Sequence, residues 1–261
     1  MMFSYIFFLR FISSTGTRYL EAQTEILLAR EIHGALVPPL AGHLAGPASF
    51  EYWGVSAPSG EVGGDLADVM DLSADGWIAY VADVSGHGVS SGVLMGMVKS
   101  ATHMKVRSGA RLDALVTDLN RVLYRMKQPN MFVTFAGVRC APSGSLEFIV
   151  AGHLPILRVA RDGHVEEITT PQIPIGVIED YAFGSGVTAV EPGDLLALVT
   201  DGLTEVFDRD DQEFGLERLN HLLCQYRERP LAEIGDRMLA AVRAHGTQLD
   251  DQTMLLVRRE G

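Results

Sequence analysis

Cysteine, positive charge and long apolar runs are all scarce in this chain of 261 residues. The two cysteines, Cys140 and Cys224, have no neighbour at metal-ligand spacing, so a zinc ribbon is not expected. They read as reduced core thiols of a cytoplasmic protein, although spacing alone leaves a disulfide between them open. Lysine and arginine number 21 against 33 aspartates and glutamates, for a formal net charge of −12. A field of that sign repels nucleic acid and anionic lipid, and no Lys/Arg run reverses it locally, so no nucleic-acid partner is expected. The apolar stretch from Met1 to Ile12 is interrupted by Arg10 and ends at Ser13-Ser14-Thr15-Gly16. It falls short of the roughly 20 apolar residues that span a bilayer. It also lacks the basic lead and small-residue cleavage site of a signal peptide. The stretch reads as an upstream extension, without stable membrane insertion.

What is present suits a globular domain, since 47% of the residues are hydrophobic. Arg18 to Leu36 repeats its apolar residues at helical steps until Pro38-Pro39 stops it, so residues 1–40 read as an extension with a linker helix. Residues 41–261 read as one domain. Strands are expected over Phe50–Val55, Trp77–Val84, Met131–Cys140, Leu146–Val150, Leu154–Val159, His164–Ile168, Leu195–Thr200 and Thr253–Arg258. Helices are expected over Ser91–Val106, over the stripe Leu112, Leu115, Val116, Leu119, Val122, Leu123 and Met126, and over Gly215–Tyr226 and Leu231–His245. Strands grouped with pairs of helices indicate an α+β layered domain.

Acidic residues recur at the turns. Gly63-Gly64-Asp65 with Asp68, then Asp83-Val84-Ser85-Gly86-His87-Gly88, Asp201-Gly202 and Asp250-Asp251 each place a carboxylate at a strand end. Taken singly, each is weak: Asp-Gly is commonly just a turn, Asp250-Asp251 a solvated pair, and His87 a turn former. If the turns meet in space, like charges crowd together, and a divalent cation offsets that cost. Oxygen-only ligation favours magnesium or manganese over zinc.

In this order the motifs resemble the bacterial metal-dependent serine/threonine protein phosphatases (PPM) of the sporulation-phosphatase, SpoIIE-like type. The matching pieces include Ala151-Gly152-His153-x-Pro155, Thr200-Asp201-Gly202-Leu203-x-Glu205, Phe214-Gly215-x-Glu217-Arg218-Leu219 and Asp250-Asp251-x-Thr253, and the similarity runs from about Glu25 to Arg258. The resemblance implies a four-layer α-β-β-α sandwich of two antiparallel sheets flanked by helices. It implies two divalent cations, manganese or magnesium, with Asp83 bridging them and the Val84 carbonyl, Asp65, Asp201 and Asp250 completing the ligand set. Asp251 is an alternate or outer ligand. His87 is expected either to protonate the leaving serine oxygen or only to shape its turn, and His153 is expected to be structural. The implied activity is hydrolysis of phosphoserine or phosphothreonine on a partner protein, an anti-sigma-factor antagonist by analogy, by attack of a metal-bridging water. A homodimer stays open as an assembly. The runner-up is a non-catalytic or partner-activated regulatory protein with the same fold. Ala67 departs from the aromatic residue common in the family before the second acid of the first motif.

Overall fold

The computed structural model describes residues 31, 33–44, 48–60, 62–86, 88–141 and 145–261. Most of the expected linker helix lies outside these residues, and its last turn, residues 33–36, is helical. Two antiparallel sheets follow. One orders its six strands β1 (Leu40–Leu44), β2 (Phe50–Ala57), β11 (Gln252–Arg259), β10 (Leu195–Val199), β7 (Ile156–Val159) and β8 (Val165–Ile168). The other orders five: β3 (Asp65–Asp71), β4 (Trp77–Val84), β5 (Val133–Cys140), β6 (Leu146–Ala151) and β9 (Gly186–Thr188).

Strand periodicity explains why the sheets stack as they do. Along β4, Ile78, Tyr80, Ala82 and Val84 join one core layer, while Trp77, Ala79 and Val81 join another. A strand buried on both faces reads as an unbroken apolar run, and successive side chains still divide between the faces. Helices α1 (Val89–Arg107) and α2 (Leu112–Met126) cover the first face. The second face packs against the six-stranded sheet through Leu196, Leu198, Leu255 and Val257. Helices α3 (Gly215–Tyr226) and α4 (Leu231–His245) close the far side of that sheet. The four layers are therefore α-β-β-α, as the resemblance implied.

The differences from the sequence reading have local causes. Strand β3 carries three aspartates and reads as a turn, yet it pairs along its length with β4, Asp65 opposite Asp83 and Asp71 opposite Trp77. The apolar stripe of α2 is narrower than its spacing suggests, because Val122 and Met126 are 47% and 64% exposed. Helix α1 starts at Val89, two residues earlier than expected, and β7 starts at Ile156 because Leu154 and Pro155 belong to the preceding turn. Ala67 is buried in the layer between the sheets, which holds the bulk of Phe50 and Trp77 in edge-to-face contact at 4.8 Å.

Candidate active site

Parity along two strands brings Asp65 and Asp83 together. Asp83 shares the inter-sheet face of β4 with Val81, and Asp65 shares that face of β3 with Ala67. The two carboxylates therefore sit directly opposite each other across a strand pair, where like charges repel. From the facing sheet, the Thr200 hydroxyl just beyond β10 donates to Asp65 Oδ2 at 2.7 Å. It accepts in turn from the Thr253 amide at 3.0 Å. Asp201 follows Thr200 in a short 3-10 turn, Asp201–Leu203, and Asp250-Asp251 lead into β11.

Close backbone approach holds these turns against one another. A Cβ on Gly202 would lie 2.0 Å from the Asp251 carbonyl oxygen, and one on Gly64 would lie 2.5 Å from the Val84 carbonyl oxygen. Only glycine allows either approach.

Burial and like charge act on the paired acids. The Asp65 carboxyl is pushed well above the usual carboxylate range, first by burial and then by Asp83. Hydrogen bonds from Thr253 and Thr200 oppose the shift without cancelling it. Asp83 is pushed up to about 7 by burial, followed by the charges of Asp201, Asp250 and Asp251. Glu205, three residues beyond Gly202, is raised by partial burial and then by Asp201, Glu213 and Asp250. Asp83 and Asp201 line one open cavity of about 250 Å³ with Thr134, Gly152, His153, Leu154, Pro155 and Glu205.

The other expected residues divide. The carboxylate of Asp251 is occupied within the protein: Oδ1 accepts from the Ser59 amide at 2.7 Å and its hydroxyl at 3.1 Å, and Oδ2 accepts from the Gly64 amide at 2.7 Å. It acts as a latch on the loop that precedes Asp65. Asp250 is exposed and accepts from the Asp251 amide at 2.8 Å. The Val84 carbonyl faces Gly64, while the Val84 side chain is buried beneath α1. His87 lies outside the described residues. Asp68, three positions along from Asp65, points to the opposite face of the sheet. It meets Lys99 at 3.2 Å and His103 at 2.6 Å from α1, and accepts from the Tyr80 hydroxyl at 3.1 Å. Among the described residues, no three His, Cys, Asp or Glu side chains already close on a single point as a metal-ligand group. The donor set nevertheless fits a hard divalent cation: every donor is oxygen, and Asp65 and Asp83 carry a charge cost that a cation would relieve.

Two residues that the sequence did not assign to the chemistry enter the site. His153, expected to be structural, forms part of the cavity wall beside Asp83 and Asp201. Burial lowers its pKa to about 4, and its Nδ1 lies 3.2 Å from the Leu154 carbonyl. A neutral ring donating from Nδ1 to that carbonyl leaves Nε2 as an acceptor. Thr200 belonged to a recognised motif, but its role depends on a partner 135 positions away in sequence.

Comparison with known proteins agrees with this fold. Phosphoserine phosphatase RsbU of Bacillus subtilis (strain 168) is 25% identical over 249 residues, covering 92% of this chain and 71% of RsbU. Phosphoserine phosphatase RsbP of the same organism is 26% identical over 252 residues, covering 91% of this chain and 58% of RsbP. The solved SiaA-PP2C domain of Pseudomonas aeruginosa superposes with a TM-score of 0.78 at 20% identity, covering 92% of this chain and 98% of that domain. The family model for Stage II sporulation protein E (SpoIIE) matches residues 73–260, a span that holds Asp83, Asp201, Asp250 and most of both sheets. On that match the chain belongs to the Stage II sporulation protein E family.

Proposed function

We propose that this protein is a metal-dependent protein phosphatase that hydrolyses phosphoserine or phosphothreonine on a partner protein. Asp65, Asp83, the Val84 carbonyl, Asp201 and Asp250 would hold two divalent cations, manganese or magnesium. What supports the reading is the pairing of Asp65 with Asp83 across β3 and β4, with Asp83 pushed up to about 7 by burial and by the charges of Asp201, Asp250 and Asp251. When bound, such cations supply a nucleophile by lowering the pKa of a water, and they offset charge on the phosphoryl oxygens.

The protein's own residues do the positioning. The β3–β4 register fixes Asp65 opposite Asp83, and Thr200 orients the Asp65 carboxylate from the other sheet. Asp251 anchors the Gly63-Gly64 approach, so in this reading it stands outside the direct ligand set. Thr134 and His153 wall the cavity into which a phosphorylated side chain would reach. His87 remains the proposed proton donor to the leaving oxygen, on the strength of the resemblance. RsbU and RsbP are phosphoserine phosphatases by name, which supports the same bond as the target here. A phosphorylated anti-sigma-factor antagonist is the substrate we assign by family analogy.

The test is phosphate release from a phosphoserine peptide and from p-nitrophenyl phosphate. Manganese-dependent turnover that is lost in chelator and restored by excess manganese is the expected result. Undiminished turnover by Asp83→Asn would refute the site.

A further inference from the structure

A second concavity, of about 470 Å³, opens where α2 ends and β5 begins. Its walls are Tyr124 and Lys127 at the end of α2, Met131 and Phe132 ahead of β5, and Gly176-Val177. Tyr124, Phe132 and Val177 are 39%, 37% and 47% exposed, so three large apolar side chains face solvent in one place. Exposed apolar clusters of this kind mark binding surfaces.

The groove is tied to the candidate active site through the backbone. The Ser85 amide donates to the Phe132 carbonyl at 3.0 Å, and the Phe132 amide donates to the Ser85 hydroxyl at 2.8 Å, two residues beyond Asp83. Thr134, which lines the cleft and pairs with Asp83, stands two residues from Phe132 in sequence.

The groove also carries a positive charge. The Lys127 ammonium donates to the carbonyls of Gln128 at 3.4 Å and Pro129 at 3.3 Å, and lies 5.7 Å from the centre of the Tyr124 ring. Among the described residues no carboxylate is in ion-pair contact with it, whereas Lys99 and Lys105 are matched by Asp68 and Asp118. On a chain of net charge −12, a cation held in a groove beside apolar side chains selects for an anionic visitor.

We propose that this groove receives an extended segment of the phosphoprotein substrate flanking its phosphorylated residue, seating an apolar side chain among Tyr124, Phe132 and Val177 and a carboxylate on Lys127. The proposal rests on the phosphatase reading. It adds where selectivity for the protein substrate arises.

The experiment uses the full chain with manganese and three substrates. They are p-nitrophenyl phosphate, a phosphoserine peptide flanked by Leu and Glu, and the same peptide flanked by Leu and Lys. The wild-type protein should favour the Glu peptide over the Lys peptide by about tenfold in kcat/KM, with the difference in KM. Lys127→Glu should invert that preference, and Tyr124→Ser should weaken binding of both peptides relative to the aryl phosphate. Inversion is a readout that a merely misfolded variant does not give. Equal use of both peptides by the wild type, or a Lys127→Glu variant that keeps the wild-type ranking, overturns the docking proposal while aryl phosphate turnover leaves the phosphatase reading intact. If Lys127→Glu instead abolishes a dimer in sedimentation and leaves peptide ranking unchanged, the groove belongs to a second copy and the proposal falls. Absence of turnover on all three substrates by folded, manganese-loaded protein removes the phosphatase reading and the proposal together.

Discussion

In chelator, Asp83→Asn should make the folded protein more stable at neutral pH, although it removes a residue on which activity is proposed to depend. The Asp83 carboxyl titrates near 7 in the folded chain against an ordinary value of 3.8. Between those values the native state keeps a proton that the unfolded chain has already released. Stability contributed by Asp83 is therefore fully present below about pH 4 and declines as pH rises through 7. The interval is roughly 3 units at about 1.4 kcal/mol each, an upper bound of about 4 kcal/mol. Coupling to Asp65 and residual solvent access reduce this to about 2–4 kcal/mol. Asparagine keeps the shape of the protonated acid but never ionises, so the variant should escape that part of the decline. Thermal unfolding followed by circular dichroism in EDTA, from pH 4 to pH 8, measures the difference. The two proteins should coincide at pH 4, and the variant should melt on the order of 5–15 °C higher at pH 8. Excess manganese should reverse the order, because only the intact site binds it tightly and ligand binding to the native state adds stability. A variant equal to or weaker than wild type at pH 8 in EDTA, or one with an undiminished pH slope, would refute the reasoning.

Asp251→Ala should act in the opposite direction. It removes the acceptors of the Ser59 and Gly64 amides, so urea unfolding in EDTA should show a loss of about 2–3 kcal/mol before any metal is added. Asp68→Ala leaves Lys99 and His103 facing an emptied acceptor beneath α1, and a loss of about 3 kcal/mol is expected in the same assay. Manganese affinity of the folded fraction, read by calorimetry, should be retained in Asp68→Ala; its loss without any change in stability would place Asp68 at the metal instead. Gly202→Ala drives a Cβ into the Asp251 backbone, a neighbour that cannot rotate away. Both melting temperature and manganese-dependent turnover should drop, by about 2 kcal/mol in stability, and an unaltered protein would show that the turn is looser than its contacts imply.

Much of the layering was legible in sequence because it depends on local periodicity. The spans of β4, α2, α3 and α4 coincide with their apolar patterns, since each pattern is long enough to select its own period. Strands β1, β3 and β9 were not legible. Leu40–Leu44 and Gly186–Thr188 are short edge segments containing glycine, and Asp65–Asp71 carries charges that argue against a strand until a partner is known. The acids of the site were legible as a set, because each stands at a strand end next to glycine, another acid or a small residue. Their division of labour was not. Whether Asp251 faces a cation or holds a loop depends on Ser59 and Gly64, 192 and 187 positions away. Whether Asp68 belongs with Asp65 depends on which face of β3 looks toward the second sheet.

That last point turns chain length into a functional constraint. Between Asp65 and Asp68 lie only Leu66 and Ala67, one on each face of the strand. Substitutions there are packing changes, graded by volume. A one-residue insertion or deletion is a different kind of event, because it reverses the facing of every later side chain relative to Asp65. Either would aim Asp68 toward the inter-sheet layer and withdraw it from Lys99 and His103, and a deletion would put Val69 in its place under the helix. This stretch of β3 should therefore vary in residue type among functional descendants of the chain far more readily than in length. An alignment gap between Asp65 and Asp68 would mark a sequence whose inter-sheet and helix-facing acids have exchanged places or lost them.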